Sequence, residues 1–397
     1  MEYIPLMSLY YKSKEEYENV YQRRIGNSDT VFMLPCNVKK QPAFVVNTGE
    51  LTTLIQNIYV RNNKLTRLYI ALPDVAIKSF LSKTIVDEIK STNDIEGVYS
   101  TKKQLRLVLK NNKPKRSLRF FSLVQKYDRM LDNESNTDLN DSNDIRSLYD
   151  EMLATEVDKK DSLDGLIFRK DTVSIVDDLG RTIHHGVTPE STIIDMMDKS
   201  LKWINDKSIP HLVRVAAFHY LFGYIHPFYD GNGRMSRFIS SLLLTGTLNI
   251  LGALRLSTMI HKNKNMYYKA FKNANDKRNR GDVTPFVLDF LTILYNAVDD
   301  SVNNLTDGQE KLDHYIEILN ARLNHLSKPQ NSIMNIIIQN TLFDDTGITT
   351  SELSKASKYS ETWTRETLLY LTENNYIHSE KDGRSYYHYA NLDILDL

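Results

Sequence analysis

His226-Pro227-Phe228-Tyr229-Asp230-Gly231-Asn232-Gly233-Arg234-Met235-Ser236-Arg237 is a polar loop set between two apolar segments. Residues 211–225 before it are apolar on nearly every face and read as a buried helix. Ser236 to Leu244 after it is apolar again and reads as a second helix. A polar loop between buried helices is costly unless something polar binds there. Gly231-Asn232-Gly233 places flexible backbone at the N-terminus of the helix that opens near Arg234. Free N–H groups and the positive helix end at that point suit an anion, phosphate in particular. Arg234 and Arg237 lie three apart and are expected to project from one side of the helix, which suits more than one phosphate group. Asp230 beside them suits Mg²⁺, which takes one or two carboxylates plus phosphate oxygens. His226 suits a general base acting on a hydroxyl. The set matches the logic of phosphoryl transfer: position the phosphates, neutralise charge, deprotonate the nucleophile. A bare helix–helix turn would explain the glycines by their backbone freedom, but not a histidine, an aspartate and two arginines beside them.

Other readings of the loop fail. In an EF-hand frame starting at Asp230, position 5 would be Arg234 and position 12 Ser241, where calcium needs oxygen ligands and a glutamate. The chain contains no Walker A sequence. Lys+Arg and Asp+Glu are both 50 in 397 residues, so the chain as a whole is no electrostatic binder of nucleic acid or membrane. Cys36 is the single cysteine, so no internal disulfide forms, and no Cys/His cluster has zinc spacing. It reads as a packing thiol. No apolar run reaches the roughly eighteen residues of a membrane span, and the N-terminus lacks the pattern of a signal peptide. The expectation is a cytoplasmic protein in a reducing compartment, with no membrane partner.

Working outward, residues 76–96 carry Ile77, Phe80, Leu81, Ile85 and Ile89 at helical spacing, and Gly97 is a natural stop. Thr92 and Glu96 lie four apart on one face of that helix. Residues 1–75 mix short β-like runs (Thr30–Leu34, Ala43–Val46, Leu68–Ala71) with turns and read as an irregular N-terminal subdomain. Helical patterns continue at 102–110, 118–131 and 145–155, with a solvated loop from Asp132 to Asp144. Leu166-Ile167-Phe168-Arg169 and Thr172 to Val176 alternate in strand fashion, Asp178-Leu179-Gly180-Arg181 supplies a turn, and Thr182-Ile183-His184-His185 follows. A hairpin alone among helices is marginal, so it must lean on them, and a free edge suits an added strand. His184 and His185 point to opposite faces of a strand and make a poor metal site. Pro189 opens the next helix, with Ile193, Met196, Met197, Leu201 and Ile204 inward. His211 and His219 read as hydrogen-bonded structural histidines. Later helices are expected at 264–275, 284–298 and 309–326.

The last seventy or so residues read as helices at Gln330–Leu342, from Thr350, and from Glu361 to Asn374, then a hairpin turning at Asp382-Gly383. Thr364, Leu368, Leu369 and Leu371 are expected inward. This is a winged helix-turn-helix pattern, which suits DNA contact. Residues 327–397 hold six Lys/Arg against ten Asp/Glu, a difference of −4, whereas a DNA-binding module carries a basic footprint. Partner contact or self-association fits at least as well.

The central stretch resembles the Fic motif, His-Pro-Phe-x-Asp/Glu-Gly-Asn-Gly-Arg-x-x-Arg, at every defined position from His226 to Arg237. His219-Tyr220 to Ile225, the 165–187 hairpin followed by Pro189, and Gly281-Asp282-Val283-Thr284-Pro285-Phe286 also look like parts of Fic domains, over roughly 76–300. The resemblance implies a mainly α protein: a Fic-type helical core with a β-hairpin flap, plus the C-terminal winged helix-turn-helix domain. It implies an AMP transferase that moves AMP from ATP to a Ser, Thr or Tyr hydroxyl of a protein. His226 would then be the base, Phe228 the anchor of the loop and Asp230 the Mg²⁺ ligand. Gly231, Asn232 and Gly233 would cradle the α- and β-phosphates with Arg234 assisting, and Arg237 would grip the γ-phosphate. Tyr267 and Tyr268 look like adenine-pocket residues, although a core role suits them equally. The 165–187 flap would dock the target protein's backbone. Thr92-x-x-x-Glu96-Gly97 is similar to the family's inhibitory pattern, with Glu96 taking Arg237 from the γ-phosphate. The implied organisation is an N-terminal subdomain 1–75, a Fic domain 76–305 with its inhibitory helix at 76–97, a connector helix 306–328 and a winged-helix-like domain 329–397. Removal of AMP using Glu96, or a nucleotide-sensing DNA-binding regulator, are the alternatives. Self-modification and homo-oligomer formation are compatible with either.

Overall fold

The helix His211–Ile225 is the axis of the larger of two compact units. Its apolar residues face inward all round, so neighbours must cover every side. Glu190–Ile204 packs along it on one side and Asn232–Thr245 on another. The computed structural model describes residues 3–110, 118–131, 139–153, 155–176, 182–383 and 385–396. Among them the protein is mainly helical, with three small antiparallel sheets.

The larger unit comprises residues 1–62 and 86–299. Its first strands, Val31–Val38 and Gln41–Val46, pair antiparallel with an irregularity between Met33 and Asn37. Phe44 donates its N–H to Gly281 O and accepts from Val283 N, both at 2.9 Å, which ties this hairpin to the 279–284 turn. Gly281 has φ +83°, and a Cβ there would lie 2.1 Å from the Pro42 carbonyl oxygen, so the close approach requires glycine. The Asp282 carboxylate beneath it accepts from Tyr3 Oη at 2.6 Å and Arg24 Nη1 at 2.9 Å. The N-terminal residues are thus built into the helical unit by a buried acid.

The smaller unit comprises residues 63–85 and 300–397. Lys328–Phe343, Thr350–Ser357 and Glu361–Glu373 are its later helices, beside a sheet ordered Ile348–Thr349, Ser385–Ala390, Ile377–Asp382. A capping box starts the Thr350–Ser357 helix, with Thr349 as its cap and Glu352 as the returning carboxylate. Asn340 Nδ2 donates to Ser79 Oγ at 3.0 Å and Lys83 pairs with Asp345 at 2.7 Å, so residues 63–85 belong to this unit.

Each unit is assembled from two separate stretches of sequence. Gly49–Ala71, Asp74–Ile95 and Thr284–Arg322 are continuous helices, and each has residues in both. Leu68–Ala71 is therefore helical and not a β-like run; its β-branched and aromatic residues carry less weight than the helix that contains them. The helices expected at 284–298 and 309–326 are one helix, which runs through Gly308 and ends at Arg322. Gly308 in its middle lies where a Cβ would meet the Phe343 ring at 2.5 Å, so that glycine marks packing and not a stop. Leu369, expected inward, is 61% exposed, while Thr364, Leu368 and Leu371 on the same helix are buried.

The hairpin is shorter than its sequence pattern. Ser174–Val176 pairs with Thr182–His185 in the register Ser174↔His185 and Ile175↔His184, with an irregularity before Val176↔Thr182. Residues 165–169 form no strand. The Glu190 carboxylate accepts from the N–H groups of Leu166 (3.1 Å), Ile167 (2.8 Å) and Phe168 (2.8 Å), so their donors are taken by a side chain. The expected turn 178–181 and the loop residues 132–138 lie outside the described residues.

Candidate active site

The His211–Ile225 helix ends at His226, whose φ of 54° puts a non-glycine residue in the left-handed region. Its N–H still donates to Phe222 O at 2.9 Å, closing the helix. The chain then turns outward and Phe228 drops into the core. Its ring stacks on Tyr149 with centroids 3.9 Å apart and meets Phe168 edge-on at 5.6 Å. Asn232 locks the loop from the other end. Its Oδ1 accepts from Phe228 N at 2.9 Å and its Nδ2 donates to Phe228 O at 2.7 Å. The asparagine side chain is therefore a clamp on the loop, leaving its main chain at the helix start.

The Asn232–Thr245 helix opens with Gly231 at φ +85°. Its first amides have no partner one turn back; Met235 N is bonded to Gly231 O at 2.9 Å. Gly233 lies on this opening turn, and a Cβ there would sit 2.0 Å from Glu96 Oε1 and 2.9 Å from Arg237 Nη1. Only hydrogen on that face leaves room for an acceptor group.

That acceptor comes from the residue just past the Asp74–Ile95 helix. Gly97, at φ +71°, ends it: Val98 N donates to Asn93 O at 2.9 Å and Gly97 N to Asp94 O at 3.2 Å. The stop aims Glu96 back at the loop. Arg237, 1% exposed at its side chain, donates from Nη2 to Glu96 Oε1 at 2.7 Å. Its Nε donates to Thr92 Oγ1 at 2.8 Å and its Nη2 to Thr92 O at 3.1 Å. Desolvation pushes the Glu96 carboxyl up, but Arg237, with Arg234 and His226 behind it, outweighs this and holds it below its ordinary range. Thr92, Glu96 and Arg237 are thus brought together.

Arg234 faces elsewhere. It donates from Nη2 to Asp230 Oδ2 at 3.0 Å, and its Nη1 is 3.8 Å from the buried Glu156 carboxylate. The two arginines, expected side by side, engage different carboxylates. Glu156 is an acid that sequence reasoning missed. Burial pushes its carboxyl up to about 7 against the pull of Arg234 and Arg119. Nothing in its spacing marks it, since it lies in a polar stretch far from the motif.

Burial pushes His226 down to about 4, so its imidazole is neutral near pH 7. Its Nδ1 lies 3.3 Å from Gly223 O, and a carbonyl only accepts, so Nδ1 carries the proton and Nε2 keeps its lone pair. His219 is fully buried among Ser236, Ser240 and Tyr267, with Nε2 2.7 Å from Tyr267 Oη, in the structural role expected. His226, Glu96, Gly233, Arg237, Tyr267 and Tyr268 line one cleft of about 530 Å³, a size ordinary for a small-molecule site. Tyr267 is buried at its wall; Tyr268 is 43% exposed. Lys264, Asn265, Phe271, Lys272 and Asn275 complete that wall, residue types too common in the sequence to have been singled out.

Among the described residues no group of three His, Cys, Asp or Glu could hold a metal ion. Asp230, 43% exposed at its side chain beside the helix start, is a donor suited to a cation that takes its other ligands from phosphate and water.

The Fic/DOC family model matches residues 139–244, which contain the whole loop. The protein adenylyltransferase Fic of Drosophila yakuba is 38% identical over 95 residues, 23% of this chain and 17% of that protein. That of Drosophila erecta is 37% identical over the same span. The match thus covers about a sixth of the length of these relatives. A crystal structure of a Fic family protein from Desulfovibrio desulfuricans G20 aligns over 91% of this chain and 99% of that one, with a TM-score of 0.56 at 20% identity, a likeness of fold. Residues 139–244 thus match the Fic/DOC family, and the mainly helical fold is like that of the Desulfovibrio protein.

Proposed function

We propose that this chain is an auto-inhibited protein adenylyltransferase, transferring AMP from ATP to a Ser, Thr or Tyr hydroxyl of a protein. The observation that carries the reading is Arg237: a fully buried guanidinium at the mouth of an anion-binding helix start, already gripped by Glu96. Neutral His226 takes the hydroxyl proton on Nε2. The hydroxyl oxygen attacks the α-phosphorus, and pyrophosphate leaves. The main chain of Gly231, Asn232 and Gly233 at the helix start, with Arg234, holds the α- and β-phosphates, and Arg237 takes the γ-phosphate once Glu96 releases it. Asp230 would hold Mg²⁺, which supplies charge neutralisation on the phosphates when bound. The wall holding Tyr267 and Tyr268 receives the base. With Glu96 on the Gly233 face, ATP enters with its γ-phosphate displaced and its α-phosphorus out of line with the hydroxyl.

The target's backbone docks as an added strand on the Ser174–Val176/Thr182–His185 hairpin, whether it comes from another protein or a second copy of this chain. Residues 329–397, read as a winged helix, are assigned to partner contact, in keeping with their acidic balance. No helix among the described residues is long and apolar enough to cross a membrane. Incubation with α-³²P-ATP tests the reading: Glu96→Gly labels protein more strongly than the unaltered chain, and the added His226→Ala removes the label. Strong labelling by the histidine variant would overturn it.

A further inference from the structure

Arg169 sits where the base of the hairpin meets the loop after the His211–Ile225 helix. It is 0% exposed. Its guanidinium bonds to main-chain carbonyls: Nε to His226 O at 2.9 Å, Nη1 to Asp171 O at 2.6 Å, Nη2 to Val187 O at 2.9 Å and to Ile225 O at 3.4 Å. Its own N–H donates to Pro227 O at 3.3 Å. A buried charge is costly unless its donors are satisfied, and here carbonyls from three separate segments satisfy it. Ile225 O and His226 O are end carbonyls of a helix, where a cation is favoured.

The packing is built for this side chain. A Cβ on Gly186 would lie 2.3 Å from Arg169 Nη2 and 3.2 Å from His226 Cβ. Val187 N donates to Ile225 O at 3.0 Å and His184 Nε2 to Tyr224 O at 2.7 Å, joining the same two segments on either side. His226 needs such support, because its left-handed backbone is unfavourable for a residue with a Cβ.

We propose that Arg169 is a positioning residue for AMP transfer: one guanidinium fixes the main chain of His226 to the base of the hairpin. The base and a target strand laid along the hairpin then keep one register. The inference rests on the reading of His226 as the base and of the hairpin as the docking edge. Lysine does not replace it, since a tetrahedral ammonium lacks the planar fork that spans three segments.

The test uses the full chain in the Glu96→Gly background, comparing Arg169→Lys and Arg169→Gln. Thermal unfolding and titration with a fluorescent ATP analogue in Mg²⁺ report folding and nucleotide binding. Both variants are expected to bind the analogue within about twofold and to lose about tenfold or more in kcat, with KM for ATP unchanged. The pH profile separates geometry from charge. Burial most of all, then Gly223 O, His184, Glu96 and Arg169, act on the His226 imidazole, and Glu96 is absent from this background. Arg169→Gln removes a cation that holds it down, so its acid limb moves to higher pH, whereas Arg169→Lys keeps the limb and loses only the plateau. A kcat for Arg169→Lys within about twofold, or a loss that follows unfolding and nucleotide binding alone, overturns the inference. Activity retained by His226→Ala in the same background would instead overturn the functional reading beneath it.

Discussion

The Arg237 guanidinium donates to the Glu96 carboxylate at 2.7 Å across 141 residues of sequence. Thr92, one helical turn before Glu96, accepts from the same guanidinium through its hydroxyl and its carbonyl. A phosphate that needs this arginine must displace a charge-assisted bond. Glu96→Gly is therefore expected to raise the rate of AMP transfer at least about tenfold, given what an arginine on a transferring phosphate contributes. Initial rates of label incorporation at saturating ATP measure it; an unchanged rate would remove Glu96 from regulation.

Thr92→Val keeps the helix and the carbonyl but loses the hydroxyl that meets Arg237 Nε at 2.8 Å. One of the three bonds holding the guanidinium away from a phosphate is gone. The expected rate lies between those of the unaltered chain and Glu96→Gly, roughly two- to fivefold above the former, for a bond of about 0.5–1.5 kcal/mol that is partly replaced by water.

The His226 imidazole is pushed down to about 4 by burial, and with His226 as the proposed base this sets the expected pH dependence. A base works in its neutral form, which is present at every pH well above that value. The kcat/KM of the Glu96→Gly protein is expected to stay level between about pH 6 and about pH 8 and to fall only as pH drops toward the histidine value. A limb near the ordinary histidine range would show that the imidazole is solvated. His226→Ala is expected to cost on the order of 10²–10⁴-fold at any pH in that window.

How much of this was legible in the sequence depends on which forces set each feature. The loop was legible because its residues are consecutive: a histidine, an aspartate, two glycines and two arginines fall within twelve positions, and apolar segments on both sides announce burial. Glu96 opposite Arg237 was legible only through the resemblance, since no periodicity links positions 141 apart. Glu156 and Arg169 were not legible. Their roles come from tertiary contacts with Arg234 and with main-chain carbonyls, which no local sequence pattern reports. The 165–169 segment misled because Leu166-Ile167-Phe168 reads as a strand by residue type, while Leu166 is exposed and the Glu190 carboxylate takes the amides a ladder would need. The continuity of Thr284–Arg322 was hidden by Gly308, whose missing Cβ serves the Phe343 ring.

Glu88 gives the helix that bears Glu96 a pH-dependent hold. It is 0% exposed and accepts from Ser257 N at 2.7 Å and from Thr258 N at 3.0 Å. Burial outweighs these bonds and pushes its carboxyl up to about 7 from 4.5. A raised folded value means that the folded state holds the proton more tightly than the unfolded one. This contribution favours folding below the unfolded value and is lost as pH rises toward about 7, by up to about 3 kcal/mol. Urea unfolding at stepped pH is expected to show a downward slope from about pH 5 to about pH 7 that Glu88→Gln flattens. An identical slope in both proteins would place Glu88 in a better solvated setting.

Asp230 is asked to do two things, and a metal titration separates them. Its Oδ2 accepts from Arg234 Nη2 at 3.0 Å, and its Oδ1 accepts from Gly231 N at 2.6 Å. Asp230→Asn keeps an oxygen of the same size for the Gly231 amide and removes the charge that attracts Mg²⁺ and Arg234. If the carboxylate serves the metal, the Mg²⁺ concentration for half-maximal labelling by the Glu96→Gly protein rises about tenfold or more, and excess Mg²⁺ restores most of the rate. If it serves only to place Arg234, the rate falls at every Mg²⁺ concentration with an unchanged midpoint. EDTA is expected to abolish labelling by the parent protein in either case, so the midpoint in the Asp230→Asn titration, and not chelation, decides which bond of this carboxylate matters to transfer.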